Sequence, residues 1–555
     1  MSDAADNLTV RALLRRLEQL NAIGIALSVE TEPLKLLELI LDGAQAMTNA
    51  DGGTIYSVIN DSALRFDLLR NGTLQLAMGG ANRPPINYPP VQLVQADGTP
   101  NHASVVAHCV LSGSTINIPD AYHAHGFDFA NTRAFDARTG YQSISILTVP
   151  MRNHENVITG VLQLINARDE QGATIPFDET VQRSIESLAS QAAIALTKHE
   201  LIEGMRTLFE SFVQLIAAAI DEKSPYTGGH CRRVPELTMA LAEATARTRQ
   251  GPLAGFTMSD ADRYELRIAA WIHDCGKITT PESVMDKATK LQTIYDRIGL
   301  IETRFEIIRR DQEIDRLRDE LEGRGQRTSA DHALAASALE NDLAFLRRIN
   351  QGGEFMRDED IARVHAISRI TWRGPEGGLL PLLTENEVRN LTIAKGTLLP
   401  EERRIINHHI VATIRMLEAL PYPKHLKRVP EFAGGHHERM DGKGYPKGLT
   451  RDQMSVQARI MGIADIFEAL TADDRPYKAA MRLSTALAIL GRMACDGHID
   501  PDLFVVFIRE GVYLDYARRF LRPEQIDAVD LGTLPGYARS AALPAPDAAP
   551  TRSAG

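Results

Sequence analysis

His273-Asp274-Cys275-Gly276-Lys277 follows the apolar helical run Leu266-Arg267-Ile268-Ala269-Ala270-Trp271-Ile272. It has a counterpart far downstream in His436-His437-Glu438-Arg439-Met440-Asp441-Gly442-Lys443-Gly444-Tyr445-Pro446. Both stretches set His and Asp among glycines. Neutral imidazoles and carboxylates are the ligands of a protein-built metal site, and nearby basic groups suit a phosphate. Working outward, similar residues stand in other apolar helical stretches: His230 before Cys231-Arg232-Arg233-Val234, His408 and His409 after Arg404-Ile405-Ile406-Asn407, and Asp465 within Ile460-Met461-Gly462-Ile463-Ala464-Asp465-Ile466-Phe467. A lone histidine on an apolar helix is more often a satisfied core residue than a ligand. Several of them with carboxylates shift the balance, because buried polar groups must be paired and a metal ion pairs them all at once. Beyond about residue 205 the chain reads as all-helical.

At 555 residues the chain is too long for one core, and two or three domains are expected. Its 44 % apolar and 24 % charged residues are those of an ordinary globular protein. No run of about 18 apolar residues predicts a membrane span. The N-terminus lacks a basic stretch followed by an apolar one, so export is not expected. Four unclustered cysteines (Cys109, Cys231, Cys275, Cys495) fit a reducing cytoplasm. A net charge of −11 argues against long nucleic acid as a partner, yet a local positive pocket can still take a small phosphate ligand.

In the N-terminal part, Val10, Leu13, Leu14, Leu17 and Leu20 predict an amphipathic helix over 9–22, and 1–19 is set apart as an N-terminal helix. Leu34 to Met47 reads as another helix. The period then changes: 53–59 and 64–69 are strand-like, and Asn71-Gly72 signals a hairpin. Residues 143–151 and 157–165 form a second expected hairpin around Asn153 to Asn156. Helix, antiparallel strands and closing helix predict an α+β sensor-like domain over 20–198. Gly160-Val161-Leu162-Gln163-Leu164-Ile165-Asn166-Ala167 with Phe177-Asp178-Glu179 resembles the closing strand and signature of GAF domains, with Ala167 where Lys is usual. The resemblance implies a small-molecule sensor or a module that only dimerises.

Steps of four and three from Val181 through Ile185, Leu188, Ala192, Ala195, His199, Ile202, Arg206, Phe209, Val213 and Ile216 to Ile220 make a nearly continuous apolar seam. A connecting coiled-coil helix over 181–220, holding a parallel homodimer, is expected from it. A helix packed on its own domain is the alternative.

His273-Asp274 with Gly276-Lys277, and His436-His437 through Gly444-Tyr445-Pro446, match the two signatures of the HD-GYP family of cyclic dinucleotide phosphodiesterases, a branch of the HD hydrolases. The resemblance covers 205–531, interrupted by an expected helical insertion at 292–397. It implies two divalent metal ions, iron or manganese. One would be held by His230, His273, Asp274 and Asp465. The other would be held by Asp274 as a bridge with His409, His436 and His437, His409 being aligned in preference to His408. Some relatives use a Glu for a third metal where this chain has Tyr226, so two are expected. The ions would activate water for attack on phosphorus. Lys277, placed one helical turn beyond His273, would serve as a catalytic and substrate-binding group. Arg475 and Lys478 would bind further phosphates, or be solvated surface charges. Gly444, Tyr445 and Pro446 would offer a tight turn and an aromatic face to a guanine or to a partner. The implied activity is hydrolysis of cyclic di-GMP to pGpG or GMP under control of the sensor domain. Cyclic GMP-AMP is the alternative substrate, and recruitment of a diguanylate cyclase through the Gly-Tyr-Pro loop is an alternative of another class. The segment 532–555, rich in Ala and Pro, is expected to be disordered.

Overall fold

A computed structural model describes residues 18–223, 229–323, 329–353, 355–473 and 480–537. Most of the 9–22 helix, Tyr226, Arg475, Lys478 and most of the 532–555 tail lie outside the described residues. The chain divides into two compact units, Met1–Leu208 and Phe209–Gly555. Among the described residues no helix is long and apolar enough to cross a membrane.

The first unit starts with helix α1 (18–29) and α2 (Pro33–Thr48). Its strands are β1 (Ala50–Ile59), β2 (Ala63–Asn71), β3 (Leu76–Gly79), β4 (Val91–Gln92), β5 (Ile116–Ile118), β6 (Ile146–Arg152), β7 (Ile158–Arg168) and β8 (Thr174–Ile175). They form one antiparallel sheet ordered β3-β2-β1-β7-β6-β5, with β4 on β2 and β8 on β7. Both expected hairpins are present. Asn71 pairs with Leu76 across the first turn, and Asn153 N–H donates to Val157 O in the second. Strand β5 was not legible, because its Ile116-Asn117-Ile118 is too short to show a period.

Alternation along the strands gives the sheet two apolar faces. Ile55, Leu162 and Leu164 point to one side, where they bury Leu37, Ile40 and Leu41 of α2 and Ile185, Leu188 and Ala192 of α5 (Glu179–Lys223). Tyr56, Leu64 and Val161 point to the other, against Val106 and Cys109 of α3 (Val105–Ser112). Between the sheet and α4 (Ala130–Thr139) lies a cavity of about 350 Å³, lined by Thr54, Tyr56, Phe66, Tyr88, Phe135 and Gln163 among others.

Helix α5 is one unbroken 45-residue element, longer than the expected 181–220. The expected seam is only partly available to a partner. Val181, Ile185, Leu188 and Ala192 are buried in the first unit's core, and Val213 and Ile220 in the second unit's core. Ile202 and Ile216 of the seam stay exposed, and beside them runs a second exposed apolar stripe: Ile194, Leu201, Met205, Leu208, Phe212 and Leu215. These run at steps of seven, four, three, four and three. The reason for the shift is tertiary, since each domain takes up the residues of α5 that face it and leaves a neighbouring face open.

The second unit is helical. Helices α6 (His230–Arg247), α7 (Asp260–Ile272), α14 (Val429–Gly434), α15 (Val456–Thr471), α16 (Leu483–Cys495), α17 (Pro501–Arg509) and α18 (Val512–Phe520) enclose one core with Leu241, Leu266, Phe432, Phe467, Leu490 and Phe504 at 0 % exposure. A 3-10 turn, Cys275–Thr279, leads to the short α8 (Glu282–Met285). The insertion has a core of its own. Ile301 and Phe305 of α9 (Ile298–Leu321), Leu346 of α10 (Ser329–Asn350) and Val364 of α11 (Asp358–Ser368) pack with Leu382 and with Leu391 of α12 (Glu385–Leu391). The expected helical hairpin is α9–α10. A small antiparallel pair, β9 (Thr371–Arg373) with β10 (Leu379–Pro381), was not expected. Helix α13 (Pro400–Glu418) then returns the chain to the main core.

Candidate metal centre

Each candidate ligand is delivered by a helix end or a helix face. Ser259 caps α7 in a reciprocal capping box with Asp262, and the apolar run of α7 buries one side so that His273 stands at its C-terminus in the core. Pro400 starts α13, which presents His409 at 2 % exposure while His408 is exposed. Gly435 ends α14 and hands over His436 and His437. Ser455 caps α15, which carries Asp465.

The fold gathers two sets of four, His230, His273, Asp274, Asp465 and Asp274, His409, His436, His437. Within each set one ligand atom per residue lies within 4.8 Å of all the others, and Asp274 belongs to both. His230 Nε2 and His273 Nε2 are each 3.3 Å from Asp274 Oδ2, and His409 Nε2 is 3.3 Å from Asp274 Oδ1. Five buried atoms face this space without a hydrogen bond of regular geometry, His230 Nε2, His273 Nε2, His436 Nε2 and both oxygens of Asp274, although Lys277 Nζ forms an ion pair with Asp274 Oδ2. Buried imidazoles and carboxylates converging on one space are costly unless a cation or proton satisfies them, and each set of four could hold a metal ion.

The other ring nitrogens show how the imidazoles are aimed. His273, His409 and His436 each hold a backbone carbonyl three residues back, of Ala270, Ile406 and Ala433, at 2.8, 2.6 and 2.6 Å. His230 differs. Its Nδ1 is 2.5 Å from Glu468 Oε2, and the other Glu468 oxygen accepts from Arg233 Nε at 2.7 Å. Sequence reading missed Glu468 and Arg233, although each sits three residues from a proposed ligand on the same helix, a spacing that shares a face.

Charge is divided across the site. Burial opposes ionisation of Asp274, but Lys277 and His273 outweigh it and hold the carboxyl well below its usual range; for Asp465 the hydrogen bonds from His230 and His273 do the same. Burial would also lower His230 and His273, yet their carboxylate neighbours raise His230 well above the imidazole range and His273 to about 9. His436 is pushed well down by burial and by its histidine neighbours, and His437 to about 4 chiefly by burial. Without metal, protons therefore collect on the His230–His273 side.

Lys277 does not lie one α-helical turn beyond His273. Helix α7 stops at Ile272, and Lys277 sits in the tighter 3-10 turn, which still brings its Nζ to 2.5 Å from Asp274 Oδ2. Gly276 is required there, because a Cβ would fall 2.0 Å from His409 O. In the Gly-Tyr-Pro loop, a Cβ on Gly444 would fall 2.4 Å from Arg439 N. Buried Glu438 accepts from the N–H groups of Lys447 and Leu449 at 2.7 and 2.9 Å and so shapes the loop. Tyr445 stacks on His437 at 4.8 Å and 24°, so one face of the ring is taken by a proposed ligand. Pro446 follows through a cis peptide bond.

Family models described as GAF domain and HD domain match residues 32–196 and 385–503. The chain thus carries one stretch similar to GAF domains and one similar to HD domains. The HD match begins at residue 385, inside the 292–397 range expected for the insertion, although Leu391 of α12 packs in the insertion's core. His230, His273 and Asp274 lie upstream of the match and reach the centre through the fold. The chain is 27 % identical over 295 residues to the 3'3'-cGAMP-specific phosphodiesterase 3 of Vibrio cholerae, covering 53 % of this chain and 37 % of the relative. It is 51 % identical over 55 residues to the cyclic di-GMP phosphodiesterase response regulator RpfG of Xanthomonas campestris, covering 10 % and 14 %. The chain thus spans well under two thirds of these relatives' lengths. Among solved structures, the GAF domain of an Acinetobacter phosphoenolpyruvate-protein phosphotransferase is 14 % identical with a TM-score of 0.26, over 34 % of this chain and 98 % of that one.

Proposed function

We propose that this GAF–HD protein is a metal-dependent phosphodiesterase that hydrolyses cyclic di-GMP to pGpG or GMP. The observation that carries the reading is the pair of four-residue sets joined by Asp274, with Lys277 on the same carboxylate. His230, His273, Asp274 and Asp465 would hold one divalent ion and Asp274, His409, His436 and His437 the other, iron or manganese by ligand type. When bound, such a pair lowers the pKa of water and spreads the charge growing on phosphoryl oxygens. The chain's own groups do the rest. Asp274 orients the two halves of the site. Lys277, with its Nζ 2.5 Å from Asp274 Oδ2, is placed to bind a substrate phosphate oxygen. Tyr445 fixes His437 and borders the substrate side.

Cyclic GMP-AMP is the second substrate reading, favoured by the specificity named for the Vibrio cholerae relative. The cavity on the GAF sheet supports small-molecule control, and the stripe from Ile194 to Leu215 supports a homodimer. Four free cysteines, three of them buried, support a reducing cytoplasm. Anaerobic purification, a metal count and an assay over a panel of cyclic dinucleotides test the whole. Cleavage of cyclic di-GMP by the two-metal protein is expected, and a metal-loaded chain that cleaves no cyclic dinucleotide would overturn it.

A further inference from the structure

The end of α5 grips the metal centre at two places. Lys223, its last residue, donates to three carbonyls of the turn that follows Asp274: Lys277 O at 3.2 Å, Ile278 O at 2.7 Å and Thr280 O at 2.6 Å. An ammonium group has three N–H donors, so three acceptors use its whole capacity. Asp221, two residues earlier, accepts from the N–H groups of Gly229 at 3.1 Å and Cys231 at 3.4 Å, on either side of His230. Helix α6 has Gly229 at its N-cap and no side-chain cap of its own, so a carboxylate from α5 meets its first unpaired donors.

The opposite side of the Lys277 turn is fixed as well. Gly276 N donates to Thr413 Oγ1 of α13 at 2.9 Å, against the helix that carries His409. The turn is therefore held between α13 and Lys223. Val213, Ala217 and Ile220 anchor this last part of α5 in the core of the second unit. Neither Asp221 nor Lys223 belongs to a ligand set.

We infer that the last turn of α5 is a positioning element for the catalytic centre: Lys223 places the turn bearing Lys277, and Asp221 places the entry of His230. The inference rests on the phosphodiesterase reading for its kinetic consequence and on geometry alone for its structural one.

A double-mutant cycle in the full chain, loaded with manganese, tests it. Lys223→Met should keep both ions and lower kcat by about tenfold, the coupling expected of residues in one hydrogen-bonded network, and should cause no further loss in a Lys277→Ala background. Asp221→Asn should instead speed the loss of metal to a chelator, which Lys223→Met should not. Amide hydrogen exchange gives a readout that needs no activity: Lys277 and Thr280 should lose protection in Lys223→Met while the α13 amides keep theirs. An equal loss of kcat in both backgrounds, or unchanged exchange at Lys277 and Thr280, would overturn the inference. Absence of any phosphodiesterase activity in the wild type would count against the functional reading, and the exchange result would still decide this one.

Discussion

Glu468→Gln should weaken metal binding and the fold by different amounts. The carboxylate is 1 % exposed, and its two oxygens serve His230 Nδ1 and Arg233. Burial alone would raise its pKa, but His230 and Arg233 outweigh burial and hold the carboxyl below its usual range. Gln has the same shape, but its one amide oxygen can accept on only one side while its NH2 group faces the other as a donor, so charge and one acceptor are both lost. Breaking a buried ion pair by removing one partner costs about 3–5 kcal/mol. Arg233 keeps 18 % of its side chain in solvent, which places the folding cost at the low end, about 3 kcal/mol. In a unit as large as Phe209–Gly555 that is a Tm loss of about 4 °C for the metal-free protein. For the metal, a carboxylate behind a histidine ligand makes the imidazole a stronger donor, and removing such a group typically costs about 10–100-fold in affinity. Only His230 has this support; the other three imidazoles with a traced partner lean on neutral carbonyls. Titration with a chelator, followed by elemental analysis, should therefore show one ion released about 10–100-fold more readily than in the wild type and the other nearly unchanged. Scanning calorimetry of the metal-free variant gives the folding cost. Equal weakening of both ions, or none, would refute the claim that Glu468 singles out one site.

Other outcomes follow from the same geometry. Asp274→Ala should abolish hydrolysis and reduce the content of both ions, since its two oxygens face both ligand sets; elemental analysis with turnover checks this, and full occupancy at normal rate would contradict it. Elemental analysis of the wild type should give two tightly bound ions per chain, and three would show that Tyr226 does not mark the loss of a third site. Metal affinity should rise with pH up to about 9, because ions must displace the protons held by His230 and His273. For the metal-free chain the sign is opposite. A histidine whose folded pKa is raised contributes stability below its unfolded value of about 6.5, and that stability fades as pH climbs to about 9, so the chelated protein should lose Tm over this window. Replacing Met205 and Phe212 by Asp, at 70 % and 55 % exposure, should split a dimer seen by light scattering without unfolding either unit, whereas Phe209→Asp should destabilise the helical core that Phe209 packs against.

Residue chemistry and flanking sequence made the site's side chains candidates, and the resemblance to the HD-GYP signatures selected the ligand set among them. The seven proposed metal ligands were named from their types, their flanking apolar runs and the matched signatures, and His409 was preferred to His408 before burial separated them. Hairpins were legible for the same reason: Asn71-Gly72 and Asn153 to Asn156 determine turns through their own backbone preferences. What depends on segments far apart in sequence was not legible. Glu468 meets His230 across 238 residues, and Lys223 meets Thr280 across 57, so no local pattern announces either contact. The 3-10 turn beneath Lys277 is imposed by the close approach of α13 at Gly276, a packing constraint invisible in the pentapeptide. The open face of α5 shows the limit most clearly. Its sequence is apolar on more than one side, and any apolar stripe at heptad spacing looks alike until neighbouring elements bury some of its residues. The sequence by itself determined which atoms could bind metal and phosphate, because that is a property of side chains. The tertiary structure decided which of them converge, what supports them and which helix face stays exposed, because burial and pairing are properties of the whole fold.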